Sequence, residues 1–114
     1  MYALRNKVQL IGNLGNAPEI RSTEEGKKYA RFSIATNEKF RNANGENVTE
    51  TTWHNLIAWG KVADVVEKYL EKGSEVAVEG KLIQKSYTNK EGVKKTSSEI
   101  QVNELLMLGS KNKD

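Results

Sequence analysis

The sequence predicts an all-β domain, an antiparallel barrel of five strands with one helix between the third and fourth strands. Two patterns carry this prediction. Apolar and polar residues alternate along five long segments, which is the period of a half-buried strand. One segment switches to the spacing of an amphipathic helix. Because a small sheet leaves open edges, closure into a barrel is the arrangement that removes them.

The first three long strands are predicted at residues 4–14, 29–40 and 49–59, where the alternation is sustained. A short strand is expected at about residues 19–23, between the first two. The polar stretch 41–47 contains Asn-Gly, which is a strong turn signal between strands. The first half of the chain is therefore expected to be strands joined by turns.

The helix is predicted after Gly60, over about three turns. Its expected core side chains follow the spacing i, i+3, i+4, i+7, with Ala63 and Leu70 beside them: Val62, Val65, Val66 and Tyr69. Lys72 is placed in its last turn, and Gly73 is expected to be the left-handed residue that ends it. Alternation then returns from Val76 to Tyr87, and a final strand is expected at residues 93–108. Five strands with a helix in this position are the layout of the Greek-key barrel called the oligonucleotide/oligosaccharide-binding (OB) fold.

The composition narrows the classes of function. Eighteen Lys and Arg residues against fifteen Asp and Glu residues give a net charge of +3, which is only mildly basic. The absence of cysteine excludes disulfides and thiolate zinc sites, and with one histidine we expect neither a metal nor a cofactor. No apolar run approaches membrane-spanning length and no secretory signal is evident, so a cytoplasmic location is expected. No paired acids, nucleophile or phosphate-binding loop indicates an enzyme.

Trp53 and Trp59 are the first candidate binding residues. In a regular strand they share one face and stand roughly 20 Å apart. Leu56 has the opposite parity and is the better core candidate. A face with two tryptophans and Asn55 is unusual for a core but suits a platform on which bases stack. The alternative is that both tryptophans are core anchors, as tryptophans often are.

Other aromatic residues lie beside cations, which favours the platform interpretation. Lys61 follows Trp59 closely, Phe40 lies between Lys39 and Arg41, and Tyr87 shares strand parity with two lysines, Lys81 and Lys85. In a site for single-stranded nucleic acid, rings stack on bases while cations follow the phosphates. Three such clusters on successive strands therefore predict a nucleic-acid interface.

His54 has no nucleophile or acid–base partner beside it in the sequence. A structural histidine, in the core or at a subunit contact, is the better interpretation than a catalytic one.

At these residues the chain resembles the bacterial single-stranded DNA-binding proteins, the SSB family. The resemblance covers residues 5–108 in order and with near-family spacing. The matching stretches include Asn6-Lys7-Val8, Gly12-Asn13-Leu14-Gly15, Ile34-Ala35-Thr36, Trp53-His54, Gly60-Lys61 and Lys72-Gly73-Ser74. We therefore expect an OB domain at residues 1–108 and a short flexible tail at residues 109–114.

The resemblance implies a homotetramer that binds single-stranded DNA without sequence preference and protects it in DNA replication, recombination and repair. It assigns base stacking to Phe40, Trp53, Trp59 and Tyr87. It assigns DNA contacts to Lys7, Arg21, Lys61 and Lys72. It also places His54 near a subunit contact, and a nucleoid-associated location in the cytoplasm follows from the DNA partner.

The C-terminus departs from the family pattern, because the chain stops at Lys113-Asp114 without the acidic tip that recruits partner proteins. Either this is a variant without the tip or it is a paralogue with a narrower role, and in both cases we expect those partners not to be recruited by that route. Two other functions fit the fold: a tail-less, dimeric primosomal OB protein, and an OB subunit that binds RNA or protein. Retention of both Trp53 and Trp59 favours the SSB interpretation over them.

Overall fold

The structure is a computed structural model that describes residues 5–108. The predicted tail, residues 109–114, lies outside the described residues, as do residues 1–4. Within the described part, five long strands and one helix are present, and the helix lies between the third and fourth long strands, as predicted. The elements are β1 (Val8–Leu14), β2 (Glu19–Ser22), β3 (Lys28–Arg41), β4 (Asn47–Trp59), α1 (Gly60–Tyr69), β5 (Glu75–Thr88) and β6 (Lys94–Met107).

The strands form one sheet in the order β1-β5-β6-β4-β3-β2, and it closes because β1 also pairs with β3. The closing contact is short, with Asn13 opposite Ala35 and Leu14 opposite Ile34. The barrel differs from a wholly antiparallel one in a single pairing among the described strands. β4 and β6 run parallel, with Leu56 opposite Ile100 and Ile57 opposite Gln101.

The core lies inside the barrel and is built from the alternating residues that the pattern predicts. Leu14, Phe32 and Ile34 from the first half are at most 4% exposed, and Val76 and Val78 complete the wall from β5. Burial of each such side chain contributes about 1.5–3 kcal/mol. Because inward residues alternate with outward ones, this core fixes which side chains of each strand face solvent.

Helix α1 covers one end of the core, but with a different stripe from the one predicted. Ala63, Val66 and Leu70 are buried, whereas Tyr69 is 59% exposed, so its assignment to the core is wrong. Among residues 5–108 no helix is long and apolar enough to cross a bilayer.

The helix also ends earlier than predicted. Leu70 is its C-terminal capping residue and donates its N–H to the carbonyl of Val66. Lys72 therefore lies in the following turn and not in the last helical turn. Gly73 has a positive φ of 93°, as expected, but it serves that turn and donates its N–H to the carbonyl of Leu14.

Candidate nucleic-acid interface

Trp53 and Trp59 lie on the outward face of β4. Trp53 is opposite Ala35 and Trp59 is opposite Tyr29 on the neighbouring strand β3. Trp53 is 60% exposed and Trp59 is 36% exposed, whereas Leu56, of opposite parity, is 1% exposed. The tryptophans are therefore outside the core, as the strand pattern predicts. We call the outward face of β3 and β4 that carries Trp53, Trp59 and Tyr29 the aromatic wall.

Trp53 is held by the close approach of a glycine. A Cβ atom on Gly15 would lie 2.2 Å from Cζ3 and 2.6 Å from Cη2 of the Trp53 ring. The ring therefore rests on the Gly15 backbone, in space that only a glycine leaves open. Gly15 itself is fixed because its N–H donates to the carbonyl of Ser33 over 3.0 Å.

Trp59 is supported by a cross-strand aromatic pair. Its ring centroid lies 5.0 Å from that of Tyr29, with an angle of 40° between the ring planes. The guanidinium carbon of Arg31 lies 5.8 Å from the Tyr29 centroid, within reach of a cation–π interaction. Tyr29, which the sequence alone left unassigned, thus joins the aromatic wall.

Between Trp53 and Trp59, the surface of the aromatic wall is polar. Asn16 accepts hydrogen bonds at its side-chain oxygen from the Ser33 N–H, over 3.3 Å, and from the Ser33 hydroxyl, over 2.9 Å. Together with Asn55 these groups line a groove of about 280 Å³. Ile57 shares the tryptophan parity but is 2% exposed, so it does not contribute to the surface. The groove thus presents polar side chains on the surface between the two exposed tryptophans.

A charged cluster of three side chains lies further along the outward face. It consists of Arg31 on β3, Glu99 on β6 and Lys85 on β5. Glu99 is buried and lies between two cations. Its Oε2 is 3.2 Å from Nη1 of Arg31, and its Oε1 is 3.1 Å from Nζ of Lys85. The sequence predicts Lys85 as a binding residue, but it singles out neither Arg31 nor Glu99.

Phe40 and Tyr87 lie on two strand-paired arms that extend from the barrel. Phe40 is opposite Val48 and is 47% exposed, whereas Tyr87 is opposite Lys95 and is 51% exposed. Strand alternation places Phe40 in the series of Phe32, not in the series that pairs with the tryptophans. Phe40 is also five positions beyond Ala35, about 17 Å along the strand. The structure does not bring it beside Trp53.

The predicted basic residues fall into two groups. Lys7 forms an ion pair with Glu79 at 3.2 Å, and Arg21 donates to Glu19 from Nε at 3.0 Å. The hydrogen bond and charge of Glu19 raise the pKa of Arg21 above its usual value. The other group makes no ion pair with any residue between positions 5 and 108: Lys61, Lys72 and Lys81. Among the described residues, these three lysines therefore have no counter-ion to displace.

His54 is half-buried on the inward parity of β4, and its Nε2 lies 3.0 Å from the hydroxyl oxygen of Thr36. This contact gives the His54 ring a hydrogen-bond partner within one chain. Across the described residues, no group of three or more metal-binding side chains is assembled.

A closed barrel of this topology, with exposed aromatic rings and cations on one outward face, has the architecture of an OB-fold nucleic-acid-binding protein. Residues 5–108 match the Single-strand binding protein family, and the chain belongs to that family. The predicted fold and family are thus confirmed.

Relatives and solved structures agree with this assignment. Single-stranded DNA-binding protein 1 of Chlorobaculum tepidum is 45% identical over 108 residues, which cover 94% of this chain and 67% of the relative. The single-stranded DNA-binding protein of Neisseria meningitidis serogroup A is 40% identical, with 96% of this chain and 63% of the relative covered. The chain thus spans about two thirds of the length of these relatives.

The fold is also similar to that of a Plasmodium falciparum SSB in complex with single-stranded DNA. The TM-score is 0.82 at 35% identity, and the match covers 91% of this chain and 95% of the other. The single-stranded DNA binding protein of Thermus aquaticus, solved as a deletion variant, gives a TM-score of 0.80 at 28% identity, over 91% of this chain and 50% of the other.

Proposed function

We propose that this chain binds single-stranded DNA without sequence preference and protects it in DNA replication, recombination and repair. It acts by binding and not by catalysis, and residues 1–108 form the DNA-binding domain. Its place is the cytoplasm, in association with the nucleoid. Membership of the Single-strand binding protein family supports this function, as does the similarity to an SSB that was solved with single-stranded DNA.

The observation that carries the proposal is the exposure of Trp53. A tryptophan is usually much buried, yet this ring is 60% exposed on the outward wall of a barrel. Every base has a π-face, so stacking on Trp53 and Trp59 binds a strand without reading its sequence. Lysines such as Lys61 and Lys81 then contact the phosphates, which carries no sequence information either.

Fluorescence titration tests this function. Oligo-dT is expected to quench the emission of Trp53 and Trp59, because stacked bases replace solvent at the rings. A duplex of equal length is expected to compete poorly, since paired bases do not offer their faces. The logarithm of the affinity is expected to fall with the logarithm of salt concentration, with a slope of about −0.7 per phosphate contacted. Equal affinity for duplex and single strand would exclude the function.

We propose further that the chain assembles as a homotetramer. Support comes from an exposed apolar strip on the outward face of β1, β5 and β6, where Ile11, Ala77 and Leu106 are adjacent in register. Ile11 is 59% exposed and Leu106 is 64% exposed. They line a groove of about 760 Å³, which a second copy would fill. The described part of β1 pairs with β3 only at Asn13 and Leu14, so its preceding edge is open to its copy across a two-fold axis.

Light scattering at micromolar concentration tests the assembly. We expect the mass of four chains for the parent and a smaller mass for Leu106→Asp, because a carboxylate in a closed apolar contact is costly. His54→Tyr is also expected to weaken assembly, because the family resemblance puts this residue near a subunit contact, where a larger ring must fit. Gln84→Asp adds the same charge on β5 away from the strip and serves as the control. A parent mass near one chain would refute the proposal, and a stable dimer would favour the primosomal alternative.

A further inference from the structure

The charged cluster on the outward face contains a carboxylate in an unusual setting. Glu99 is 8% exposed, yet it lies on the outward parity of β6, opposite Ile83. Its Oε2 accepts a hydrogen bond from Arg31. Its Oε1 is buried and accepts no hydrogen bond from any described residue, although Nζ of Lys85 is 3.1 Å away. Oε1 of Glu99 is therefore attracted by the charge of Lys85 but accepts no hydrogen bond from the described residues.

The two cations differ from Glu99 in their access to solvent. The side chain of Arg31 is 48% exposed and that of Lys85 is 51% exposed, against 9% for Glu99. A buried carboxylate must be paired, because an uncompensated buried charge is strongly unfavourable. Arg31 and Lys85 meet this need, while about half of each of their side chains remains exposed to solvent. They can therefore meet a second anion that approaches from outside.

The charged cluster lies between aromatic side chains on which bases of single-stranded DNA are proposed to stack. Arg31 packs near Tyr29, whose ring contacts that of Trp59. Lys85 is on β5, two positions from Tyr87 and on the same outward parity. Single-stranded DNA whose bases stack on Trp59 and on Tyr87 has to bring its phosphates past Arg31 and Lys85. This step depends on the function proposed above.

We propose that Glu99 is an internal competitor for the DNA backbone. It occupies Arg31 and Lys85 in the free protein, and a backbone phosphate takes one or both cations when the strand binds. The phosphate and the carboxylate are both anions with oxygen acceptors, so they compete for the same N–H groups. Glu99 thereby lowers the affinity for single-stranded DNA and allows bound DNA to be released more easily.

A purely structural role for Glu99 predicts the opposite sign. If the carboxylate only positioned Arg31 and Lys85 for DNA, its removal would leave both side chains disordered and would weaken binding. If it competes, its removal frees both cations and strengthens binding. The affinity of a neutral variant therefore separates the two roles.

The test compares the parent with Glu99→Gln, which keeps the size of the side chain and removes its charge. Oligo-dT affinity is measured by tryptophan quenching at several salt concentrations. We expect an affinity increase of about threefold or more at low salt, and a salt slope steeper by about 0.7–1.4, since one or two more phosphates are neutralised. Glu24→Gln, in an exposed turn without an ion pair in the described chain, is the control for net charge. It is expected to change the affinity much less.

Lys85→Gln makes the assignment specific. In the Glu99→Gln background we expect it to remove about 0.7 of the salt slope, whereas in the parent it removes less. Thermal unfolding shows whether each variant is folded. If Glu99→Gln does not fold, Glu99→Asp decides, because the shorter side chain withdraws from both cations and is expected to raise the affinity by a smaller factor.

Unchanged or weaker binding by the folded Glu99 variant, with the parent binding normally, would overturn the competitor role and leave the proposed function intact. Failure of the parent to bind oligo-dT would overturn both.

Discussion

The ring of Trp53 rests on the backbone of Gly15, at a distance that leaves no room for a Cβ atom. An added methyl group would lie 2.2 Å from Cζ3, so Gly15→Ala must displace the ring. Because Trp53 is largely exposed, the ring can move without disturbing the core. We expect oligo-dT affinity to fall by up to about 1–3 kcal/mol, the value of one base stack, with little change in stability.

Gly12→Ala is the matched comparison, because its Cβ would lie 2.3 Å from the backbone oxygen of Ala35, where β1 meets β3. Backbone cannot swing aside as a side chain does, so this variant is expected to lower the thermal midpoint more than Gly15→Ala. Thermal unfolding and oligo-dT titration of both variants are the measurements. Equal loss of stability in the two would contradict the proposed support of Trp53 by Gly15.

Alanine variants of the tryptophans separate binding from folding. Trp53→Ala is expected to cost about 1–3 kcal/mol of oligo-dT affinity, and Trp59→Ala a similar amount. The stability of both should fall much less than that of Leu56→Ala, which is expected to lose about 2–5 kcal/mol because Leu56 fills the core. Unfolding curves and titrations on the same three samples give both quantities. Parent-like binding by both tryptophan variants would rule out stacking as the mechanism.

The lysines should contribute unequally to the salt dependence of binding. Lys61 has no ion-pair partner among residues 5–108, whereas Lys7 lies 3.2 Å from Glu79. Lys61→Gln is therefore expected to reduce the salt slope by about 0.7, and Lys7→Gln by clearly less. Titrations with oligo-dT across a salt series measure both slopes. A larger loss for Lys7→Gln would show that the pair with Glu79 opens on binding.

The stability of the barrel should decline in acid partly through Glu79. A hydrogen bond from Gln9, and then the contact with Lys7, hold the pKa of Glu79 below its usual value of 4.5. A carboxyl whose pKa is lowered by folding stabilises the native state above its unfolded pKa and loses that contribution as the pH falls through its folded pKa. The thermal midpoint is expected to fall below about pH 4.5 by this route.

Glu79→Gln should show a smaller acid-induced fall in the thermal midpoint than the parent, because it has no proton to take up. Glu24→Gln, which removes a carboxyl outside any described ion pair, should behave like the parent. Identical pH profiles for Glu79→Gln and the parent would contradict the role of this carboxyl.

Local sequence patterns were sufficient to predict the fold and part of the nucleic-acid interface. Alternation placed Trp53 and Trp59 on one outward face and Leu56 in the core because a strand has a period of two. The helix is predicted less well: Val62, Val65, Val66 and Tyr69 fit the period, but the buried residues are Val66 and the two residues flanking that stripe, Ala63 and Leu70. Sequence spacing does not tell which of two adjacent stripes a barrel accepts.

The rest of the site depends on contacts between distant strands. Tyr29 meets Trp59 because of the register between β3 and β4, and Glu99 reaches Arg31 because β6 lies beside β4. No turn fixes the parallel pairing of β4 and β6, so it leaves no local signal. The alternation of β6 could have shown that Glu99 lies on the face opposite to Ile100, but not that it is buried between two cations.

The short parallel pairing of β4 with β6 also has a consequence for biosynthesis. Leu56 and Ile57 emerge from the ribosome well before Ile100 and Gln101, their partners in the closed barrel. At about 5–20 residues per second, the nascent chain spends a few seconds with the edge of β4 unpaired beside Trp53 and Trp59. An unpaired strand edge is open to pairing with other chains. Pairing of β6 with β4 is therefore the step that closes this edge during synthesis.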